Sequence, residues 1–165
     1  MVKPLIRLIV VFCVAFCLSQ ISLAKEKYDL TVSFDGTGDV KTVSEAIAKV
    51  PENNKKRFTI FIKAGVYDEQ IRIPVTKPFI SLIGENAETT KLQFNISNKV
   101  AGSTSAAFAF YVGGHSFYAE NLTFENTFGQ GSQAVAVLAE ADRVVFNECR
   151  FLGWQDTLYA KGGRQ

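Results

Sequence analysis

One histidine, three cysteines and a formal net charge of only +2 mark this sequence of 165 residues. Each scarcity excludes something. His115 stands alone in a Gly-Gly-His-Ser turn, so no Ser-His pair for nucleophilic catalysis is evident. Eighteen Lys+Arg face 16 Asp+Glu. Lys3 and Arg7 account for the difference, which leaves residues 25–165 balanced and without the polybasic footprint of a nucleic-acid or acidic-membrane binder. Acidic clusters of the kind that hold calcium, or several converging carboxylates, are also missing, which speaks against a lyase or a glycosidase. Two-residue hairpin signals are scarce, the one Asp35-Gly36 lying early in the chain.

The apolar run Leu8–Leu18 falls short of the ~20 residues a membrane-spanning helix needs. With Lys3 and Arg7 before it and Ser22-Leu23-Ala24 after it, the run reads as a secretory signal peptide over residues 1–24, cleaved before Lys25. The expected product is a secreted domain of residues 25–165, placed outside the cell or in the cell wall, or in a periplasm if the host is bacterial. Cys13 and Cys17 leave with the signal, so Cys149 is either a buried thiol or a cysteine whose partner lies elsewhere. Asn95-Ile96-Ser97 and Asn121-Leu122-Thr123 are glycosylation acceptors in a eukaryotic host, or plain strand residues.

What is present in abundance is β-rich sequence. From Phe58 onward, short runs such as "FTIFIKAGVY", "FISLIGE", "AAFAFYV" and "AVAVLAE" alternate with Gly, Asn, Ser or Pro. One helix is predicted, over about residues 42–50: Thr42 and Glu45 form a capping box, Val43, Ile47 and Val50 share a side, and Pro51 ends it. "YAENLTF" (118–124) aligns with "VFNECRF" (145–151), and Gln133 and Gln155 each open an apolar run. Repeats of this length built from short strands predict stacked coils, so the expected fold is all-β, a parallel β-helix with the helix covering its first coil.

The residues with chemistry to offer are Gln133, Gln155 and Asp156. Two converging amides can donate to a developing oxyanion, and a partly desolvated carboxyl group beside them can act as a general acid. The same Gln-Asp pair also reads as a polar cap at the start of a strand. Trp154 reads by default as core packing.

These residues also resemble a known family. "GVYDE" (65–69), "QAVAV" (133–137) and "GWQDTLY" (153–159) are similar, in order and separation, to three motifs of pectin methylesterases, and "FYAENLTFENT" (117–127) resembles the coil before the first glutamine. The resemblance covers roughly residues 28–165 and implies a right-handed parallel β-helix, the N-terminal portion of such an enzyme. It implies an aspartyl esterase that hydrolyses the methyl esters of galacturonate units in pectin, with no metal or organic cofactor. Carried over, Asp156 is general acid and then base, Gln133 and Gln155 hold the oxyanion, and Gln133 and Tyr159 contact the sugar chain. Tyr67 and Glu69 are structural supports. A proteinaceous inhibitor is a further implied partner, and no inhibitor-like segment separates the signal from Tyr28.

Two departures accompany the resemblance. Ala107 stands where the family has a substrate-contacting Thr, so that contact is expected to be lost or to move to a neighbour such as Thr104. The family's nucleophile lies in a later Asp-Phe-Ile-Phe-Gly motif and its partner arginine in a Gly-Arg-Pro-Trp motif, neither of which is in these residues. The chain is therefore expected to be a fragment with little activity by itself. A pectin-binding remnant without turnover is the alternative, and a purely structural solenoid would need no such constellation.

Overall fold

A computed structural model describes residues 28–164, so the signal-peptide reading and Cys13 and Cys17 lie outside the described residues. Every strand pair is parallel. Strands β1 (Leu30–Val32), β2 (Phe58–Ile62), β5 (Ile80–Gly84), β8 (Tyr118–Glu120) and β11 (Val145–Asn147) form one sheet. A second contains β3 (Gly65–Asp68), β6 (Thr90–Phe94), β9 (Thr123–Asn126) and β12 (Arg150–Leu152). The third contains β4 (Ile71–Ile73), β7 (Phe108–Val112), β10 (Val135–Ala139) and β13 (Leu158–Ala160). The chain visits the three sheets in turn, one strand each, and after β1 completes four coils. It is a right-handed parallel β-helix.

Alternation of side chains along each short strand sends one set inward, and parallel register stacks that set coil upon coil. Ile60, Leu82, Ala119 and Phe146 make one such row. Tyr67, Leu92, Phe124 and Phe151 make another. Phe124 lies parallel to Phe151 at 5.8 Å between centroids, and Phe110 reaches Phe124 at 4.9 Å. Each fully buried Phe, Ile or Leu contributes about 1.5–3 kcal/mol, so the rows rather than any single contact hold the coils together. The repeat predicted between residues 118–124 and 145–151 is the register itself, with Tyr118 opposite Val145 and Phe124 opposite Phe151.

Corners are turned by left-handed residues at matching places. Ser116 (φ 59°) and Arg143 (φ 57°) precede successive strands, and Asn121 (φ 55°) and Glu148 (φ 49°) sit between strands. Gly84 is required at its corner because a Cβ there would come within 2.1 Å of the Asn121 carbonyl oxygen.

Helix α1 (Val43–Lys49) forms as predicted, with Thr42 as N-cap and the Thr42–Glu45 capping box complete. Val43, Ala46 and Ile47 are buried and pack it over β1 and β4. Glu69 explains its place in the G-x-Y-x-E motif: its carboxylate accepts from the Val43 N–H at 2.7 Å and the Ser44 N–H at 3.0 Å. Tyr67 is buried, and its hydroxyl donates to the Lys63 carbonyl at 2.9 Å. At the far end, buried Lys77 donates from Nζ to the Ile47 and Ala48 carbonyls, 2.9 Å each. Both helix ends are thereby satisfied by side chains from the coils beneath. Among the described residues no helix is long and apolar enough to cross a membrane.

Candidate active site

Gln133 ends the loop before β10, and Gln155 and Asp156 end the loop before β13, so adjacent parallel strands bring the two loops together. The strands run in a register of Val137 to Leu158 and Ala139 to Ala160. That offset is one residue shorter than the separation of the two glutamines, and β10 absorbs the difference where the Ala136 and Val137 N–H groups both donate to the Thr157 carbonyl; Asp156 turns the chain just before. Asp156 adopts a left-handed conformation, φ 64°, one that aspartate tolerates better than most side chains. Its neighbours stay bonded to β10 and its approach: the Gln155 carbonyl accepts from the Ala134 N–H at 3.1 Å, and the Thr157 carbonyl accepts from the Ala136 and Val137 N–H groups at 3.0 Å.

Asp156 and Gln155 are exposed, contrary to the expectation of a partly desolvated carboxyl group. The reason is position: β13 is the edge of its sheet, with no strand beyond it among the described residues. Trp154 is corrected on the same ground. It is 65 % exposed, not core.

Asp156, Thr104, Leu158 and Tyr159 line an open cleft of about 290 Å³. Thr104 belongs to a short 3-10 turn, Thr104–Ala106, and takes the cleft position open to it, whereas Ala107 is wholly buried and gives its carbonyl to the Val135 N–H at 2.8 Å. Tyr159 is half-buried against the small cluster of Phe108, Val135 and Leu138.

Gln133 is half-buried and is held by helix α2 (Asn98–Ala101), a contact with no signal in the sequence. The Asn98 N–H donates to the Gln133 carbonyl at 2.9 Å, and Asn98 Nδ2 donates to Gln133 Oε1. Ser132 Oγ donates in turn to Asn98 Oδ1. With its oxygen engaged, the Gln133 amide keeps Nε2, its donor end, without a partner among the described residues. An oxyanion needs such a donor.

Beyond the cleft, Glu140 accepts from Lys161 Nζ at 2.9 Å and from the Tyr111 hydroxyl at 3.1 Å. The Lys161 hydrogen bond is the main influence holding the Glu140 carboxyl below its ordinary range. Burial, then Glu140, raises the Tyr111 hydroxyl. His115 lies in the turn before β8, on another sheet, with Nδ1 beside Arg143 Nη2 at 3.1 Å and Ser116 Oγ at 3.2 Å. Burial pushes the Cys149 thiol up to about 11, and Sγ donates to the Asn147 carbonyl at 3.3 Å. Among the described residues no group of three or more His, Cys, Asp or Glu is placed to hold a metal ion.

Stacked parallel coils define the class, a parallel β-helix with Gln133, Gln155 and Asp156 on neighbouring loops of one sheet, of which Asp156 lines the open cleft and the two glutamines do not. The pectinesterase family profile matches residues 29–165, and the chain belongs to the pectinesterase family. A Petunia integrifolia pectinesterase is 45 % identical over 90 % of this chain and 39 % of its own length. The structure of pectin methylesterase from carrot superposes with a TM-score of 0.80 at 36 % identity, covering 83 % of this chain and 43 % of that one. A pectin methylesterase in complex with a hexasaccharide has a TM-score of 0.71 at 28 % identity, over 81 % of this chain and 45 % of that one. The chain thus spans less than half the length of these proteins.

Proposed function

We propose that the protein is the acid/base half of an esterase that removes methyl groups from pectin. Family membership supports the reaction, and the hexasaccharide complex of a relative supports a polysaccharide substrate. The observation that carries the assignment is the Gln133 amide, turned by Asn98 so that its donor end stays free. In this reading the ester carbonyl is attacked by an aspartate of the later Asp-Phe-Ile-Phe-Gly motif, which the resemblance supplies. Gln133 and Gln155 donate to the oxyanion as it forms. Asp156 gives its proton to the departing methoxide, releasing methanol, then takes a proton from water as it attacks the acyl-enzyme. The products are a free galacturonate carboxylate and the regenerated aspartate. Tyr159 and Thr104 line the floor that positions the sugar.

Residues 1–24 act as the secretory signal in this proposal, and pectin is met outside the cell. Asn95 is exposed directly after β6 and is the better glycosylation acceptor, whereas Asn121 is half-buried in a left-handed corner. A proteinaceous inhibitor remains part of the same proposal through the family resemblance.

Methanol release from methyl-esterified pectin tests the reading. A form of the chain continuing through the Asp-Phe-Ile-Phe-Gly and Gly-Arg-Pro-Trp motifs is expected to release methanol, and the 165-residue chain alone to bind pectin without turnover. The exposure of Asp156, with no opposing carboxylate in the cleft lining, favours this binding-only behaviour for the chain by itself. Absence of methanol from the longer form would sink the esterase reading.

A further inference from the structure

Arg72 stands on the sheet that carries the cleft, three strands away from it. Parallel register aligns Arg72 of β4 with Tyr111 of β7, Leu138 of β10 and Tyr159 of β13. Strand spacings of about 4.8 Å put the Arg72 and Tyr159 Cα atoms roughly 14 Å apart. The Arg72 guanidinium lies over two rings at once, its Cζ 4.7 Å from the Phe108 centroid and 4.5 Å from the Tyr111 centroid. Phe108 belongs to the cluster on which Tyr111 and Tyr159 both pack. An apolar strip of Tyr111, Phe108, Leu138 and Tyr159 therefore runs from the arginine to the cleft wall.

The charge on that strip is unspent. Arg72 forms no ion pair among the described residues. The carboxylate nearest in the strip's hydrogen-bond network, Glu140, is already matched by Lys161 at 2.9 Å. Nor does the fold need the guanidinium, since β4 contributes to the core through Ile71 and Ile73 while Arg72 is exposed. A planar fork of donors, fixed against aromatic walls, suits a carboxylate attached to an apolar ring face: the fork takes the two oxygens and the ring takes the C–H surface. A methyl ester carries no charge and offers the fork far less.

We propose that Arg72, seated on Phe108 and Tyr111, is a subsite for a free uronate carboxylate on the same face as the Asp156 cleft. The subsite rests on the pectin reading of that cleft and adds to it a preference for chains that already carry free acid groups at about that distance.

The single tryptophan, Trp154, is exposed two residues before Asp156 and reports binding by fluorescence. The probes are a galacturonate hexamer with free carboxylates and its fully methyl-esterified form. Arg72→Met keeps the apolar stem and removes the charge, and Arg72→Lys keeps the charge without the fork. Arg72→Met is expected to weaken the free-acid hexamer roughly three- to tenfold, between the worth of an exposed ion pair and a charge-assisted hydrogen bond. The esterified hexamer should change less than about twofold, and Arg72→Lys should fall between. Equal losses for both hexamers, or none for the free acid, would overturn the subsite. If Arg72→Met leaves free-acid affinity intact while the esterified hexamer still binds, the subsite fails and the pectin reading stands. If the wild type binds neither hexamer, both fail.

Discussion

Asn98 grips Gln133 at two points, its backbone N–H on the Gln133 carbonyl at 2.9 Å and its side-chain amide on Gln133 Oε1. A glutamine amide is nearly symmetric in shape, so something must decide which end is left free to donate. Asn98 decides it by donating. In the form that continues through the Asp-Phe-Ile-Phe-Gly motif, Asn98→Ala should lower kcat for methanol release about tenfold with little change in KM, because the donor end matters most when the oxyanion forms. Asn98→Asp should cost more, since a carboxylate repels Oε1 and attracts Nε2. Unchanged kcat in both variants would show that Gln133 needs no orienting.

Glu69 ties the capping helix to the second sheet through the Val43 and Ser44 N–H groups. Glu69→Ala leaves those donors to water at the helix start and should destabilise the protein by about 1–2 kcal/mol, read as a lower urea midpoint. A midpoint equal to wild type would mean that the Thr42–Glu45 box holds the helix alone.

Cys149 gives a prediction in pH. Its thiol is raised by burial from an ordinary 9.0 to about 11 in the folded protein. The folded state therefore holds this proton more tightly than the unfolded state. The associated stability is complete below pH about 9 and is lost as pH climbs toward about 11. Cys149→Ala should remove that component, so the difference between wild type and variant should shrink across this window. Reaction of the folded thiol with iodoacetamide near neutral pH should also be slow, because the thiolate is the nucleophile. Rapid alkylation at pH 7 would contradict the burial argument.

Among the described residues strands β11, β12 and β13 are the last of the three sheets, and Val145 and Leu158 on them are 50 % and 48 % exposed. Open edges of this kind pair with other chains. Residues 25–165 in isolation should self-associate at micromolar concentration, and Leu158→Lys should reduce it. A sharp monomer by sedimentation, with a cooperative melt, would be the opposite result.

Much of this architecture is legible in the residues. The 118–124 and 145–151 repeat is a register read directly, and the Thr42–Glu45 box is where its spacing places it. Thr104, Asp156 and Tyr159 line one cleft, whose lining does not include Gln133 or Gln155. Exposure was not legible, because in stacked coils a residue's burial is set by the coil above it. Trp154 and Asp156 have the surroundings of core residues in sequence and an open edge in space. The Asn98–Gln133 contact was hidden too, since it joins residues 35 apart through a single residue of a four-residue helix with no periodic signal. Arg72 reads in sequence as an ordinary outward strand residue, and only the register sets it on Phe108 and Tyr111.

The most direct measurement is methanol release by wild type and by Asp156→Asn, in the form that continues through the Asp-Phe-Ile-Phe-Gly motif. Loss of a positioned acid and base predicts a fall of roughly a hundred- to ten-thousandfold in kcat, with hexamer binding retained. Activity within a few-fold of wild type would mean that Asp156 is a polar cap on a strand and that the proton moves through another group.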